Sequence, residues 1–421
     1  VEREATSTVR RTVRICVLAR QFPVVSQTFV VDHAAGLAAR GHDVVVVPLL
    51  PPPADEPVSE ETQAAVRRLT APPRSPTGGR ARRAISAARI AAESAVGDHA
   101  RSLRFALQRD DFPMRSIGPR LVCARRIAAF APFDVLHAQF GPTGLAALLL
   151  RDAGVFDAPI VVSFHGYDAK VIPAQVPRCY DPLIGAVARV TAGSAYMRDV
   201  VERLGFSHDQ VAVWPQGVDT ARFAPARGDT DEQHHGFHVL TVARLVDFKG
   251  VDVALRAVAL ARPRIAGLRY TVVGDGERRA ELESLAKQLG VDDITTFRGA
   301  LAHDDVVAAH AAADAFLITG RVDRAGHVEG QGVAPLEASA SELPVVATRS
   351  GGLTEVVVDG ETGLLVEPEN PEAAADALVR LATDAALRAR LGAAGRAHVQ
   401  RAFSQEHSLD VIEQVYRDVR A

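Results

Sequence analysis

The chain predicts an α/β protein built from two doubly wound parallel sheets, and three observations predict it. Its 421 residues exceed what one hydrophobic core ordinarily organises, which points to two domains of about 200 residues each. Short apolar runs of strand length recur along the chain with helical patterns between them, as a parallel sheet with crossover helices requires. Polar or glycine-bearing loops follow several of those runs, at the carboxyl edge where open α/β sheets bind ligands.

In the first half, residues 13–19 are nearly all apolar, as a strand covered on both faces should be. A helical pattern runs to Arg40, Gly41 closes it, and residues 43–47 form the next strand, so a strand–helix–strand unit is complete by residue 47. The loop between carries Ser26, Gln27 and Thr28. It faces the ligand edge, and Ser26 equally has the spacing of a helix N-cap. Residues 51–79, with Pro-Pro-Pro, Pro-Pro and Gly-Gly, read as irregular, and from Arg80 to Gln108 apolar and Arg residues interleave at helical spacing. Two short apolar strands follow, one ending at His137 and the other at His165. A histidine at such an edge donates a hydrogen bond to a hydroxyl, handles a proton, or serves packing alone. Asp168, three residues beyond His165, either orients it or belongs to an acceptor pocket. Ser194 reads as an N-cap after a strand at 190–192, and residues 211–219 mark the crossing into the second half.

The second half places strands at 237–243, 268–273, 294–297, 315–318, 344–348 and 363–366. Arg244 and Lys249 bracket the loop after the first of these. Further on, Glu329-Gly330-Gln331-Gly332-Val333-Ala334-Pro335-Leu336-Glu337 reads as a loop that delivers Glu329 to a helix N-terminus, with Pro335 and Glu337 in the first turn. Glycines let the backbone approach a ligand, and free amides at the positive end of the helix dipole suit phosphate. No carboxylates or histidines cluster at metal-ligand spacing in this half, so no metal or cofactor is expected. A phosphate bound at this edge would meet Arg244, Lys249 and the helix-end amides. Arg321 and Arg324, in the loop before Glu329, read as selectors of an acidic group or as a solvated rim. After Pro371 three helical stretches run to the end, the last over 405–420.

Two Glu separated by seven residues, with Val242 to Gly250, Val272 to Glu277, Gly351-Gly352 through Glu355 and Asp359 to Val366 in matching order, resemble the retaining nucleotide-sugar glycosyltransferases of family four (group 1), most like bacterial exopolysaccharide members. The resemblance implies a GT-B fold, two Rossmann-like domains facing across a cleft. An N-terminal acceptor-side domain would cover 1–213, a nucleotide-sugar domain 214–404, and a last helix at about 405–421 would pack back on the first. It implies a metal-independent transferase moving a sugar from a UDP- or GDP-linked donor to a hydroxyl of a saccharide, a lipid-linked saccharide or a small metabolite, with retained configuration. His165 and Glu329 would stand beside the donor sugar, Arg244 and Lys249 on the phosphates, and Gly330, Gln331, Gly332 and Val333 would offer amides. Glu337 would hold the ribose, Arg298 and Leu301 the base. Ser26, Gln27, Thr28, His137 and Asp168 would face the acceptor. The family usually has Asn where Gln216 stands.

Composition narrows the classes. No apolar run reaches the roughly 18 residues of a membrane span, nothing at the start resembles a signal peptide, and the three cysteines are scattered. A cytoplasmic protein is expected, peripheral to the inner face of the membrane if its basic segment docks there. Fourteen Arg and four acidic residues lie between Gln63 and Phe130, a local balance of +10. That stretch suits an anionic membrane surface through residues 67–126, or a solvated helix face; no nucleic-acid partner is expected. Other readings are a sugar phosphorylase or nucleotide-sugar epimerase of the same architecture, and a sugar-nucleotide-binding protein without turnover.

Overall fold

The computed structural model describes residues 12–22, 28–50, 64, 69–70, 117–225 and 236–420. The strands are β1 (Arg14–Ala19), β2 (Asp43–Pro48), β3 (Val135–Gln139), β4 (Ile160–Phe164), β5 (Arg189–Ala192) and β6 (Val211–Val213), then β7 (His238–Val242), β8 (Arg269–Val273), β9 (Thr295–Gly299), β10 (Ala315–Ile318), β11 (Val345–Thr348) and β12 (Gly363–Val366). Early helices are α1 (Thr28–Ala39), α2 (Ile117–Phe130), α3 (Gly141–Asp152), α4 (Tyr167–Gln175) and α5 (Ala195–Glu202). Later ones are α6 (Val251–Ala261), α7 (Arg279–Gln288), α8 (His303–Ala311), α9 (Val333–Ala340), α10 (Leu353–Val356), α11 (Pro371–Thr383), α12 (Ala385–Ala402) and α13 (Gln405–Asp418).

They form two six-stranded sheets, ordered β2-β1-β3-β4-β5-β6 and β12-β11-β10-β7-β8-β9. The ladders β1–β2, β1–β3, β3–β4, β7–β8, β8–β9, β7–β10, β10–β11 and β11–β12 are all parallel. These are the doubly wound parallel sheets that the alternation of strand and helix patterns predicted, in the two-domain α/β GT-B fold that the resemblance implied. Central strands are covered on both faces, so Ile15 to Ala19 and Val345 to Ala347 have no exposed surface and read as unbroken apolar runs. Dense contacts divide the chain into one compact unit of Val1–Ser163, Tyr180–Val190 and Gln414–Ala421, and a second of Phe164–Cys179 and Thr191–Glu413.

Three local outcomes differ from the sequence reading. Residues 211–213 are a strand and not merely a crossing, and β3 continues two residues past His137, which therefore lies mid-strand. Helix α9 starts at Val333, because Gly332 turns the chain in a left-handed conformation (φ 95°) just before it. Pro335 remains in the first turn, where its missing N–H costs nothing, but Glu337 moves into the second.

Candidate active site

The loop after β7 and the loop before α9 belong to the second unit, and they meet. Lys249 Nζ, at the end of a short 3-10 turn over Asp247–Lys249, donates to a carboxylate oxygen of Glu329, and both side chains are mostly shielded. Phe248 lies beneath this pair: Lys249 Nζ stands 5.3 Å from its ring centre and the Arg244 guanidinium 5.9 Å. Arg244 is exposed. No side chain caps α9, so the positive end of its dipole opens just beyond Glu329. Lys249, the Glu329 carboxylate and a helix N-terminus thus gather at the glycine-bearing loop 329–332, with Arg244 beside Phe248. Gly352 holds that loop from behind, its N–H donating to the Glu329 carbonyl at 3.0 Å.

The 3-10 turn is itself anchored. Asp247 Oδ1 accepts from Arg278 at 2.8 Å and Arg321 at 2.5 Å, and the Asp252 carboxylate accepts from the same two guanidiniums at 3.3 and 3.1 Å. Arg321 therefore neither selects an acidic ligand group nor forms a solvated rim, as the sequence suggested. Its charge is spent on fixing the segment that presents Lys249. Arg324 is exposed.

His165 follows β4 directly and is held from two sides. Its backbone N–H donates to Asp168 Oδ1 at 2.9 Å, with Asp168 almost fully buried in the first turn of α4. Its Nδ1 lies 3.3 Å from Gln216 Nε2 and accepts from that amide, which leaves the ring proton of the neutral form on Nε2. Gln331, 115 residues from Gln216 in sequence, clamps it in turn: the Gln216 backbone N–H donates to Gln331 Oε1 at 2.8 Å, and Gln331 Nε2 donates to the Gln216 carbonyl at 3.1 Å. Ser194 caps α5 by accepting from the Met197 N–H and also donates to the Gly330 carbonyl at 2.6 Å. Glu355 accepts from the Ala195 and Tyr196 amides at 2.8 Å each. Main-chain and side-chain links thus tie the segments carrying His165, Gln216 and Ser194 to the 330–331 turn.

Burial depresses the His165 pKa from 6.5 to about 3, so the ring is neutral throughout the physiological range. In the unfolded chain it protonates near pH 6.5, before the folded protein does. Its contribution to stability is therefore complete above about pH 6.5 and is withdrawn as pH falls toward 3. His165→Asn is expected to flatten the acid side of the stability curve in this window, measured by urea midpoints from pH 3.5 to 7; an unchanged slope would contradict the depressed pKa.

The remaining sequence candidates lie on other elements. Arg298 is exposed where the β8–β9 register skips a residue, Val272 facing Phe297 and Val273 facing Gly299, and Leu301 and Glu337 are half-buried. His137, in the first unit, is fully buried, with Nδ1 2.6 Å from the Tyr416 hydroxyl and Nε2 2.6 Å from Ser163 Oγ. Ser26, Gln27 and the Thr28 side chain lie outside the described residues, as does most of the Arg-rich segment 67–126. Sequence reading gave no role of their own to Phe248, Glu355 or the Gln331 side chain, the last two because their partners are distant along the chain. Among the described residues no group of three or more His, Cys, Asp or Glu could hold a metal ion, and no helix is long and apolar enough to cross a membrane.

The chain is similar to known glycosyltransferases. Residues 225–398 match the family described as Glycosyl transferases group 1, and residues 26–222 match Glycosyltransferase Family 4. A GDP-mannose-dependent alpha-(1-6)-phosphatidylinositol monomannoside mannosyltransferase of Mycobacterium tuberculosis is 34% identical over 312 residues, covering 72% of this chain and 80% of its own length. WcaL of Escherichia coli K12, provisionally named a colanic acid biosynthesis glycosyltransferase, is 28% identical over 361 residues, 83% of this chain and 86% of its own. The crystal structure of Anabaena Alr3699/HepE in complex with UDP shares the fold, with a TM-score of 0.70 at 17% identity over 96% of this chain and 100% of that one. With both family matches in place and a relative 34% identical over most of its length, the chain belongs to the group 1, family 4 glycosyltransferases.

Proposed function

We propose that this glycosyltransferase acts with retention of anomeric configuration and without a metal ion, moving a sugar from a GDP- or UDP-linked donor to a ring hydroxyl. The observation that carries this reading is the meeting of Lys249, Glu329, Arg244 and the α9 N-terminus around one loop. As the glycosidic bond to the diphosphate breaks, negative charge grows on the leaving phosphate. Fixed cations and helix-end amides stabilise that charge most where water is excluded. Lys249 would then exchange the Glu329 carboxylate for phosphate oxygens, and Arg244, exposed beside it, would reach the same group. Gly330, Gln331, Gly332 and Val333 line the approach with main-chain amides, Glu337 serves the ribose, and Arg298 and Leu301 stand at the base. His165, neutral with its proton on Nε2, donates to a hydroxyl of the transferred sugar. Glu329 balances the charge of Lys249 and holds it in place until the donor arrives, and during transfer the departing phosphate accepts the acceptor's proton.

A relative named for GDP-mannose makes that donor the first to test, with UDP-glucose beside it. The product's anomeric configuration, read from NMR couplings, is expected to match the donor's, and a chelator is expected to leave the rate unchanged. Inversion, loss of rate on chelation, or dependence on inorganic phosphate in place of a hydroxyl acceptor would each contradict the reading.

A further inference from the structure

Two residues ahead of Glu329, His327 is held in a way that no role so far assigned requires. The loop 323–327 closes on itself: Asp323 Oδ1 accepts from the Ala325 N–H at 2.9 Å and the His327 N–H at 2.8 Å, and the Asp323 N–H donates to the His327 carbonyl at 3.0 Å. The other oxygen, Oδ2, lies 2.6 Å from His327 Nδ1. Burial alone would raise the Asp323 carboxyl, but the hydrogen bonds from the His327 side chain and backbone and from Ala325 outweigh it and hold it below the usual carboxylate range. In the neutral ring a carboxylate there keeps the proton on Nδ1 and leaves Nε2 as the acceptor, the opposite tautomer to His165.

The His327 ring stacks with two others: the Phe248 ring centre lies 5.8 Å away at 28° and that of Tyr167 5.8 Å away at 14°. Tyr167 is 55% exposed although it is a large aromatic residue. The stack stands at the catalytic loop, since a side chain built on Gly330 would come within 3.5 Å of the His165 carbonyl, two residues before Tyr167. A flat, exposed aromatic face beside a fixed hydrogen-bond acceptor complements a saturated six-membered ring, which offers an apolar C–H face and a rim of hydroxyl groups.

We propose that Tyr167 and His327 form the acceptor subsite, Tyr167 covering the apolar face of a sugar or cyclitol ring and His327 Nε2 accepting a hydrogen bond from one of its hydroxyls. This rests on the transferase reading above. Asp323 is a positioning residue in it, fixing the tautomer, and Phe248 joins the subsite to Lys249.

The test uses the full chain saturated with GDP or UDP, into which methyl α-mannoside and myo-inositol are titrated by NMR. At least one probe is expected to bind wild type, and Tyr167→Ala and His327→Ala are each expected to weaken it by about tenfold or more, while Tyr167→Phe stays near wild type. In turnover the same two variants are expected to raise acceptor KM by a similar factor with kcat changed far less. Asp323→Asn, which frees the tautomer, is expected to weaken the probe too, and Asp323→Glu to restore part of the loss. Binding of neither probe, equal binding by wild type and both alanine variants, or an equal loss of nucleotide affinity would overturn the subsite. Failure of wild type to bind GDP and UDP would instead overturn the donor reading on which it stands.

Discussion

Lys249→Ala is expected to lower turnover by about 100-fold or more, the usual consequence of removing one fixed charge-stabilising group from an acyl- or phosphoryl-type leaving-group site. It is also expected to destabilise the protein, because Glu329, with 14% of its side chain exposed, would be left as a shielded carboxylate without its cation. The cost should be about 1–3 kcal/mol, read from urea unfolding. A second change separates the two effects. Glu329→Gln in the Lys249→Ala background removes the stranded charge, so stability should recover in large part while turnover stays low. Arg244→Ala provides the contrast: exposed, and resting on Phe248, it should lose turnover by more than about tenfold with little change in unfolding midpoint. Near-normal rates in both alanine variants would remove the phosphate clamp from the account.

Gly250→Ala is expected to be the more damaging change to the fold. Gly250 ends the turn that carries Lys249, with φ +67°, and a Cβ there would stand 1.9 Å from the Thr319 carbonyl oxygen. The Thr319 hydroxyl meanwhile donates to the Gly250 carbonyl at 2.7 Å, so the two backbones are locked face to face. Left-handed strain and a backbone overlap together should cost about 2–4 kcal/mol, and the displaced turn should carry Lys249 away from Glu329. Gly290 is the internal control: its φ is +63°, but no atom lies within 4 Å of the added Cβ, so Gly290→Ala should cost only the strain, about 1 kcal/mol. Equal unfolding midpoints for the two variants would mean that the Gly250 turn has room to relax.

How far the sequence could be read depended on whether the governing interaction was local. Strand positions followed from apolar runs: β10 and β12 lie at the residues expected, and in β10 burial on both faces leaves no polar interruption. Arg244 and Lys249 were visible for a related reason, one just after a strand and the other just before the glycine that opens a helix. Pairings between distant segments were not visible. Nothing local in Gln216 or Gln331 announces that one amide side chain holds the other residue's backbone, and Arg321 looked like a ligand-binding cation until Asp247 and Asp252 were found against it. His137 was misplaced for a related reason: its strand continues to Gln139, and the hydroxyl groups that make an interior histidine tolerable, Tyr416 and Ser163, are 279 and 26 residues away.

The central claim is that the charges around loop 329–332 surround the diphosphate of a sugar nucleotide, and a crystal structure of the protein with GDP-mannose or UDP-glucose tests it most directly. The account predicts the β-phosphate within hydrogen-bond distance of Lys249 Nζ and of amides between Gly330 and Val333, with Arg244 turned toward it and the Lys249–Glu329 contact loosened. A nucleotide whose phosphates lay elsewhere, with Lys249 and Glu329 still paired and Arg244 still on Phe248, would contradict it.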